Sequence, residues 1–419
     1  MTRPPCEIEL ASRDHALLLQ ELSTMALGLL PGVRVLDVGE RISAPYCARI
    51  LANLGADVIK VETPDGDESR RMGPFPGDAP HPEKSGLFLA LNLNKRGVTL
   101  DLESRPDADR FLELARTADI IVENQPAGWL DACGLGYDAL RQANPEVIVA
   151  SITPFGESGP YAGFKASDLT LYHMSGQAHG VLGPVDDPDG EPPIRAGGHQ
   201  AEFLTGMAAA TASLMALYRK RATGVGCRLV VSSFEAMVTQ IISGLANCAY
   251  GQPAPSREKD RNAEPAVGGM VRAVGGLLPC TDGYVAISPR EEAQWQRWLE
   301  VMGNPDWGTD ERFATREARH SNYDELWRLV GQWTRERSKH DVARMGQEQR
   351  VACFPVNTVE DLLGNDHLRE REFFVQVDHP EAGALRYPGV AYRLAGTPLP
   401  LDSRPAPLLG QHNHEMFRE

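Results

Sequence analysis

The loop GERISAP, which begins at Gly39, contains residues suited to binding an anion. Ser43 as N-cap and Pro45 in the first helical turn would present free backbone N–H groups, which suit a phosphate. The loop lacks the GxGxxG fingerprint of dinucleotide sites. An ordinary capped helix explains this loop more simply, so it does not decide a function by itself.

Two other segments carry polar residues that could meet the same ligand. Asn94, Lys95 and Arg96 form a compact basic cluster directly before a predicted strand, in a protein that is otherwise acidic. Such a cluster can bind a phosphate or pyrophosphate, and solvated surface charge is an equal alternative. Asn124 and Gln125 follow an apolar strand and open a loop rich in Pro and Gly, which favours a ligand rim.

These residues belong to a pattern in which strands alternate with helices. Apolar, β-branched segments predict five buried strands: VRVLDVG (33–39), ADVIKVE (56–62), GVTLDL (97–102), DIIVEN (119–124) and VIVASITPFG (147–156). Helical segments of moderate length separate most of them, and this predicts an α/β fold with a large doubly wound, Rossmann-like parallel sheet. Ligands of such sheets bind at the carboxyl ends of strands, where the GERISAP loop and Asn124 lie.

Changes in composition along the chain indicate its domains. The first thirty residues are a polar arm with a short amphipathic helix (Ala16–Leu30), and a charged segment rich in Pro near residue 260 is typical of a linker. The predicted organisation is an N-terminal extension (1–30), a large domain (31–250), a linker (251–265), a smaller α+β domain (266–370) and a C-terminal tail (371–419).

Composition excludes some classes of function. The chain has 419 residues, 42% of them hydrophobic, and a net charge of −15, which argues against a nucleic-acid partner. No apolar run approaches the roughly 20 residues that span a bilayer, and the N-terminus does not resemble a signal peptide. Seven scattered cysteines show neither zinc-site spacing nor a disulfide framework. We therefore expect a cytoplasmic protein without a membrane partner, a metal site or a permanently bound cofactor.

Read together, the motifs resemble one family, the family III CoA-transferases, which include carnitine CoA-transferase, formyl-CoA transferase and the α-methylacyl-CoA racemases. The resemblance runs in uninterrupted order from about residue 32 to residue 240, and weaker similarity extends to the end of the chain. The segments that carry it are GVRVLDVG, LGADVIKVE, LNKRGVTLDL, ADIIVEN, NPEVIVASITPFG, SDLTLYHMSG and RATGVGCRLVVSSFEAM.

The resemblance implies an interlocked homodimer, in which the C-terminal tail returns to the large domain and the smaller domain lies between. It also implies that coenzyme A enters as part of an acyl-CoA substrate and is transferred to a carboxylic acid. The residues that would bind CoA by this resemblance are Ile42, Ser43, Ala44, Asn94, Lys95, Arg96, Asn124, Gln125, Lys165 and Asp168.

One position departs from the family. The family nucleophile is an aspartate four residues before a glycine at the start of a long helix, and counting back from Gly206 gives Glu202. A carboxylate there could attack an acyl-CoA and carry CoA as a glutamyl thioester. His199 and Gln200 are neighbouring candidates for catalytic roles. Glutamate is longer by one methylene, and an acid that only favours the first turn of a helix is the alternative for Glu202.

Gly268 and Gly269 are candidate backbone donors to the oxyanion that develops in this transfer reaction.

Other functions remain open at this point. A racemase of this family needs a histidine immediately before the aspartate that matches Asp168, and Ser167 occupies that position. The alternatives are an acyl-CoA enzyme of another reaction type (epimerase, hydratase or cyclase-like) and a catalytically silent CoA-binding subunit, paired as a heterodimer with a paralogue.

Overall fold

A computed structural model of the chain describes residues 28–180, 187, 190–252, 276–289, 291–395 and 404–417. Most of the predicted N-terminal extension, the larger part of the predicted linker, and the oxyanion candidates Gly268 and Gly269 lie outside the described residues. Among the residues described, no helix is both long enough and apolar enough to cross a membrane.

The strands form three separate sheets. Their bounds are β1 (Arg34–Asp37), β2 (Asp57–Glu62), β3 (Lys95–Thr99), β4 (Ile120–Glu123), β5 (Ile148–Thr153), β6 (Cys227–Ser232), β7 (Gly276–Cys280), β8 (Gly283–Ile287), β9 (Cys353–Pro355), β10 (Phe374–His379) and β11 (Gly383–Pro388).

The helices surround these sheets or connect their strands. From the first half of the chain they are α1 (Ser43–Asn53), α2 (Gly86–Leu91), α3 (Arg105–Ala115), α4 (Trp129–Ala132), α5 (Tyr137–Ala143), α6 (Asp168–Met174), α7 (Gln177–Gly180) and α8 (Gln200–Thr223). From the second half they are α9 (Ser233–Val238), α10 (Ile242–Ala249), α11 (Glu292–Val301), α12 (Glu311–Ala314), α13 (Arg316–Ser321), α14 (Tyr323–Thr334), α15 (Lys339–Glu348), α16 (Val359–Leu363), α17 (Asp366–Glu370) and α18 (Asn413–Met416).

The central sheet has six parallel strands in the order β3–β2–β1–β4–β5–β6. Neighbouring residues of β1 point to opposite faces: Val35 packs in a core with residues of α1 and α8, and Leu36 in a core with residues of α3. Helices therefore cover both faces, which explains why the strand sequences are largely apolar. The strand order reverses between β1 and β4. The predicted doubly wound α/β sheet is confirmed.

Helix α8 lies unusually close to the start of α1. A Cβ atom at Gly206 of α8 would lie 2.7 Å from the carbonyl oxygen of Ser43 and 3.1 Å from the Tyr46 ring, so a larger residue would force the helices apart. Tyr46 also packs edge-on against Phe203, with 4.8 Å between the ring centroids. This approach brings the first turn of α8 beside the loop that follows β1.

The end of the chain packs along the edge strand β3. The backbone N–H of Gly97 donates to Nδ1 of His412 at 3.0 Å, and that of Thr99 donates to Oδ1 of Asn413 at 2.9 Å. These bonds satisfy edge groups that would otherwise lack partners within the sheet. Residues 404–417 thereby close the exposed side of the sheet.

The described residues group into two compact units, and the first comprises those within 1–175, 195–240 and 370–419. The second unit contains an antiparallel sheet in the order β7–β8–β9, with a core that includes Trp295, Trp298 and Phe313 from the helices. This smaller sheet confirms the predicted second α+β fold. Residues 176–194 and 241–250, which the sequence boundaries assign to the large domain, group with the second unit.

Candidate active site

Glu202 lies in the first turn of α8, which is 24 residues long. The residue before the helix, His199, makes no side-chain cap. Asp168 takes over this role from α6, because its Oδ1 accepts from the backbone N–H groups of Ala201 at 2.8 Å and Glu202 at 3.3 Å. Its Oδ2 accepts from Arg195 at 2.8 Å. Asp168 therefore fixes the turn that carries Glu202.

Two cationic or protonatable groups face the Glu202 carboxylate, whose side chain is 15% exposed. Arg41 Nε lies 3.8 Å from Oε1, and His199 Nδ1 lies 3.4 Å from Oε2. Within the described part of the chain, Arg41 Nε, His199 Nδ1 and Glu202 Oε2 are buried atoms without a hydrogen-bond partner. The three side chains are thus close enough to attract one another, yet they retain unused hydrogen-bonding capacity.

The protonation of Glu202 is set by competing influences. Burial raises the pKa of Glu202 above its ordinary value, and the negative charge of Asp168 acts in the same direction. Arg41 and His199 favour the carboxylate form and offset part of that rise in pKa. The N-terminus of α8 also stabilises a negative charge in its first turn. The net result is a pKa above the ordinary value, and Arg41 and His199 limit that rise.

Beneath the loop that follows β1 lies a fully buried network of charges: Asp37, Lys60, Asp67 and Lys95. Lys60 Nζ pairs with Asp67 at 2.7 Å and also donates to the carbonyl oxygen of Gly39. Lys95 Nζ donates to Asp37 Oδ2, to the carbonyl oxygen of Pro45 and to Asn92 Oδ1, each at 2.8 Å. Two acids and two lysines thus neutralise one another, which buried charges require.

The two lysines of this network respond differently to burial. Burial lowers the pKa of Lys95 to about 8, because the attraction of Asp37 offsets only part of the cost of burying the charge. Burial acts on Lys60 in the same sense, but Asp37, Asp67 and Glu62 together raise its pKa above the ordinary value. Lys60 is therefore the firmly charged member of the network.

This network holds Arg41 in an uncommon backbone conformation. Arg41 has a φ of +63°, a region that costs a residue with a side chain on the order of 1–3 kcal/mol. Its N–H group donates to Asp67 Oδ1 at 3.0 Å, and Asp67 is itself fixed by Lys60. The strain is thus maintained by buried charges, and it directs Arg41 towards α8.

Asn124 joins the loops at the point where the strand order reverses. Its Oδ1 accepts from the Glu40 N–H at 2.8 Å, while its Nδ2 donates to the Glu40 carbonyl at 2.8 Å and to Ser43 Oγ at 3.0 Å. Gln125 Nε2 donates to the carbonyl of Val38 at 3.2 Å. Loops after β1 and β4 are therefore held side by side, and open doubly wound sheets bind ligands at this crevice.

A family comparison agrees with this geometry. The model of the family described as CoA-transferase family III matches residues 30–413. The chain belongs to CoA-transferase family III. That membership agrees with the resemblance that the sequence motifs carry from about residue 32 onward.

Named relatives of this CoA-transferase match it over nearly the full length of both proteins. The BbsE subunit of the succinyl-CoA:(R)-benzylsuccinate CoA-transferase of Thauera aromatica is 35% identical over 397 residues, which is 92% of this chain and 93% of that protein. The formyl-CoA:oxalate CoA-transferase of Streptomyces coelicolor is 31% identical and covers 94% of this chain and 95% of that enzyme. A crystal structure of a CAIB/BAIF family protein from Brucella suis superposes with a TM-score of 0.80 at 28% identity, over 93% of this chain and 99% of that one.

Three of the residues predicted to bind CoA in this family III chain follow the loop after β1. Ile42, Ser43 and Ala44 are buried at the start of α1. The predicted N-cap role of Ser43 is wrong: the cap position is Ile42, and no side chain caps the helix. The reason is that Ser43 Oγ faces Asn124 instead. The segment nevertheless lies next to Asn124, which follows β4.

The basic cluster of Asn94, Lys95 and Arg96 lies at the start of β3. Lys95 and Arg96 do not precede a strand, as predicted, but begin β3, because a buried pair with Asp37 and a partly exposed pair with Asp57 stabilise their charges within the sheet. Lys95 has all three N–H groups bonded inside the protein, and Arg96 pairs with Asp57 at 2.6 Å. Asn94 binds Arg404 at the amino end of β3. This geometry does not favour a phosphate site at these residues.

The roles of the remaining candidate site residues stay predictions. Gln200 Nε2 donates to the carbonyl of Gly197 at 3.0 Å, which stabilises the start of α8, and Lys165 is exposed in the loop after β5. Each of Asp168, His199 and Glu202 offers an atom within 4.8 Å of the others. Because Asp168 already uses both oxygens, this grouping favours charge pairing over metal binding.

Sequence reasoning missed Arg41 and the network beneath it. A lysine at position 60, inside the apolar strand DVIKVE, was an available signal, since a buried lysine needs an acid partner. Nothing in the sequence pattern indicated the contact between Arg41 and Glu202, because the residues are far apart in the chain. The contact depends on how closely α8 approaches α1.

Proposed function

We propose that the protein is an acyl-CoA:carboxylate CoA-transferase in which Glu202 is the nucleophile. The observation that carries this proposal is a carboxylate that is 15% exposed, has an unbonded Oε2 and lies in the first helical turn next to Arg41 and His199. A carboxylate that served only as a helix cap would be expected to bond with its own turn, and here Asp168 fulfils that function. Membership of the family supports the same reaction.

In the first half of the reaction, an oxygen of Glu202 attacks the carbonyl carbon of the acyl-CoA. The carbon–sulfur bond breaks, and the products are a mixed anhydride and the CoA thiolate. The thiolate then attacks the glutamyl carbonyl. The anhydride bond breaks, the donor acid leaves as a carboxylate, and Glu202 carries CoA as a thioester.

The second half reverses these steps with a different acid. The acceptor carboxylate attacks the glutamyl thioester, which releases the CoA thiolate and forms a new anhydride. The thiolate attacks the acyl carbon of the acceptor, and Glu202 is regenerated as a carboxylate. No proton is gained or lost over the cycle, so the reaction needs Glu202 ionised at its start and end.

The crevice between the loops of β1 and β4 is the proposed CoA site. Ile42, Ser43 and Ala44 border it from one side, and Asn124 and Gln125 border it from the other. Its position agrees with the general location of ligands in doubly wound sheets. Glu202 lies at the same end of the sheet through its contact with Arg41. A thioester bound in the crevice would have its reactive end within reach of α8.

A small carboxylic acid is the proposed substrate class. The similar proteins are named for succinyl-CoA with (R)-benzylsuccinate and for formyl-CoA with oxalate. A succinate–glutarate CoA-transferase of Agrobacterium fabrum is 29% identical over 93% of this chain. Succinyl-CoA is therefore the donor to test first.

A trapping experiment tests the nucleophile. The purified protein is incubated with succinyl-CoA, treated with hydroxylamine and digested, and the peptides are analysed by mass spectrometry. We expect a hydroxamate at Glu202 and none in the Glu202→Gln variant. A wild-type protein that binds CoA but shows no modification at this position would refute the proposed nucleophile.

A second candidate function is that of a subunit in a heteromeric transferase. It is favoured by one observation: the relative from Thauera aromatica with 35% identity is named as a subunit. Exchange of labelled succinate into succinyl-CoA by the pure chain, as a homodimer, would exclude a silent subunit. Exchange that appears only after addition of a co-purifying paralogue would support it.

A further inference from the structure

Arg41 is a cation whose binding capacity is not used up within the described residues. Its side chain is 39% exposed. Its two nearest acidic partners, Glu202 at 3.8 Å and Glu68 at 3.6 Å, lie beyond the distance of a good hydrogen bond. Its buried Nε has no hydrogen-bond partner in the part of the chain that is described. An arginine in this state can accept a carboxylate as a ligand.

In the proposed reaction Glu202 loses its charge when the anhydride forms and the CoA thiolate leaves, and the donor acid is released as a carboxylate in the next step, when the glutamyl thioester forms. Glu202 is an anion before turnover and a neutral thioester in the intermediate. The donor acid leaves, and the acceptor acid arrives, as a carboxylate during the lifetime of that thioester. One negative charge is therefore conserved at the centre: it passes from Glu202 to the CoA thiolate in the anhydride, and from the thiolate to the free acid in the thioester intermediate.

We propose that Arg41 is the carboxylate-binding residue of the transfer reaction: it pairs with Glu202 in the free enzyme and with the free carboxylic acid while Glu202 carries CoA. This inference rests on the proposed function, because it requires the glutamyl thioester. Arg41 has the two features this exchange needs. Its guanidinium is partly open to solvent, and the bonds of its backbone to the buried network keep it in place when its partner changes.

The other groups that face Glu202 fit this role less well. Asp168 is an acid, and its oxygens are already bonded to Arg195 and to the start of α8. His199 lies 3.4 Å away, but an imidazole is a cation only when it is protonated. A guanidinium is charged at every relevant pH and can bind both oxygens of a carboxylate.

The test compares Arg41→Gln and Arg41→Lys with the wild-type enzyme. The assay follows exchange of ¹³C-labelled succinate into succinyl-CoA by mass spectrometry, with the KM for succinate and the pH profile as readouts. Arg71→Gln is the matched control, because Arg71 is an exposed arginine after β2 whose Nη1 donates to the carbonyl oxygen of Asp65. Thermal unfolding confirms that each variant is folded.

We expect Arg41→Gln to raise the KM for succinate by about 10- to 100-fold, the range for loss of a charge-assisted hydrogen bond. The acidic limb of the pH profile should move to higher pH, because Glu202 loses the neighbour that most favours its ionised form. Arg41→Lys should restore part of both effects, and Arg71→Gln should show neither. A purely structural role for Arg41 would lower stability without moving the pH profile.

The outcome separates this inference from the proposed function. If hydroxylamine labels Glu202 in the wild-type enzyme, while the Arg41→Gln variant keeps its KM for succinate and its pH profile, the role of Arg41 is refuted and the nucleophile stands. If the wild-type enzyme is not labelled, both proposals fail. A labelled wild type together with a raised KM and a shifted limb supports both.

Discussion

The first unit contains two groups of charges, the buried network of Asp37, Lys60, Asp67 and Lys95 and the side chains around Glu202. The two groups differ in how completely their charges are paired. In the buried network, Asp37, Lys60 and Lys95 are fully enclosed, and Lys60 pairs with Asp67 at 2.7 Å and Lys95 with Asp37 at 2.8 Å. Around Glu202 the corresponding separations are 3.4 and 3.8 Å, and atoms remain unbonded.

The difference assigns separate tasks to the two groups. Charges that are fully paired in the interior fix backbone positions, because moving any member leaves another uncompensated. Charges that are close but unbonded can exchange partners at small cost, which is what a reaction centre requires. Arg41 links the groups, since its backbone belongs to the first and its guanidinium to the second.

The largest expected effect is on catalysis. Glu202→Gln keeps the size of the side chain but removes the proposed nucleophile, so succinyl-CoA exchange should fall by roughly 10⁴-fold or more. Exchange of labelled succinate measures it. Glu68→Gln removes the other acid near Arg41 and should retain most activity. An equal loss of activity in the Glu202→Gln and Glu68→Gln variants would contradict a special role of Glu202 in the reaction.

A charge removed from the buried network should chiefly reduce stability. Lys60→Met leaves Asp67 without its cation, and breaking a buried pair costs about 3–5 kcal/mol of the free energy of unfolding. Urea unfolding followed by fluorescence measures the change. Arg105→Met, which removes an exposed pair with Asp109, is the control and should shift the midpoint little. An equal, small shift in both variants would contradict the structural role of the network.

Glu123 sharpens the comparison, because it is buried without a lysine of its own. It lines a cleft with Ser151, Glu157 and Arg228, and burial raises its pKa to about 7. The folded protein therefore holds a proton on Glu123 that the unfolded chain releases near pH 4.5. This proton contributes on the order of 3 kcal/mol to the free energy of unfolding. The contribution is complete below pH 4.5 and is lost as the pH rises through about 7.

Glu123→Gln should remove this pH dependence. Relative to the wild type, the variant should gain stability at pH 8 compared with pH 5, because the amide stays neutral and its oxygen can still accept from the Gln125 N–H. Urea midpoints at both pH values provide the measurement. Glu113→Gln, at an exposed position, serves as the control. Parallel curves for Glu123→Gln and the wild type would show that Glu123 is charged in the folded protein.

The smallest expected effect concerns the support of the reaction centre. Asp168→Ala removes the acceptor for the first N–H groups of α8, which should cost about 1–2 kcal/mol. Asp168→Asn keeps an acceptor oxygen and should lose less. Thermal unfolding ranks the two variants. Because Glu202 lies on the affected turn, exchange activity should fall in the same order, and the reverse order would argue against a positioning role.

The sequence was sufficient to predict the central sheet, for a physical reason. Strands buried on both faces are largely apolar, and the segments that end at Asp37, Glu62 and Thr153 follow this pattern. The pattern missed the start of β3, because Lys95 and Arg96 look like loop residues. Charges enter a strand only when acids elsewhere in the chain neutralise them, and such partners cannot be read from a local pattern.

Prediction of the site stopped at single residues. Counting from Gly206 led to Glu202, but no spacing indicated that Arg41 faces it or that Asp168 holds its turn. Ser43 was expected to cap α1, and its hydroxyl instead faces Asn124. Each of these contacts joins elements that are distant in sequence, so each depends on tertiary packing.

The close contact at Gly206 has a consequence for how this protein can change over time. The spacing between α8 and α1 is set by a glycine against a backbone oxygen and a tyrosine ring, at 2.7 and 3.1 Å for an added Cβ. Such a contact is stiff, whereas the apolar side chains farther along the helices can be exchanged for others of similar volume. Neutral drift can therefore alter much of the core while the distance between Glu202 and Arg41 is preserved.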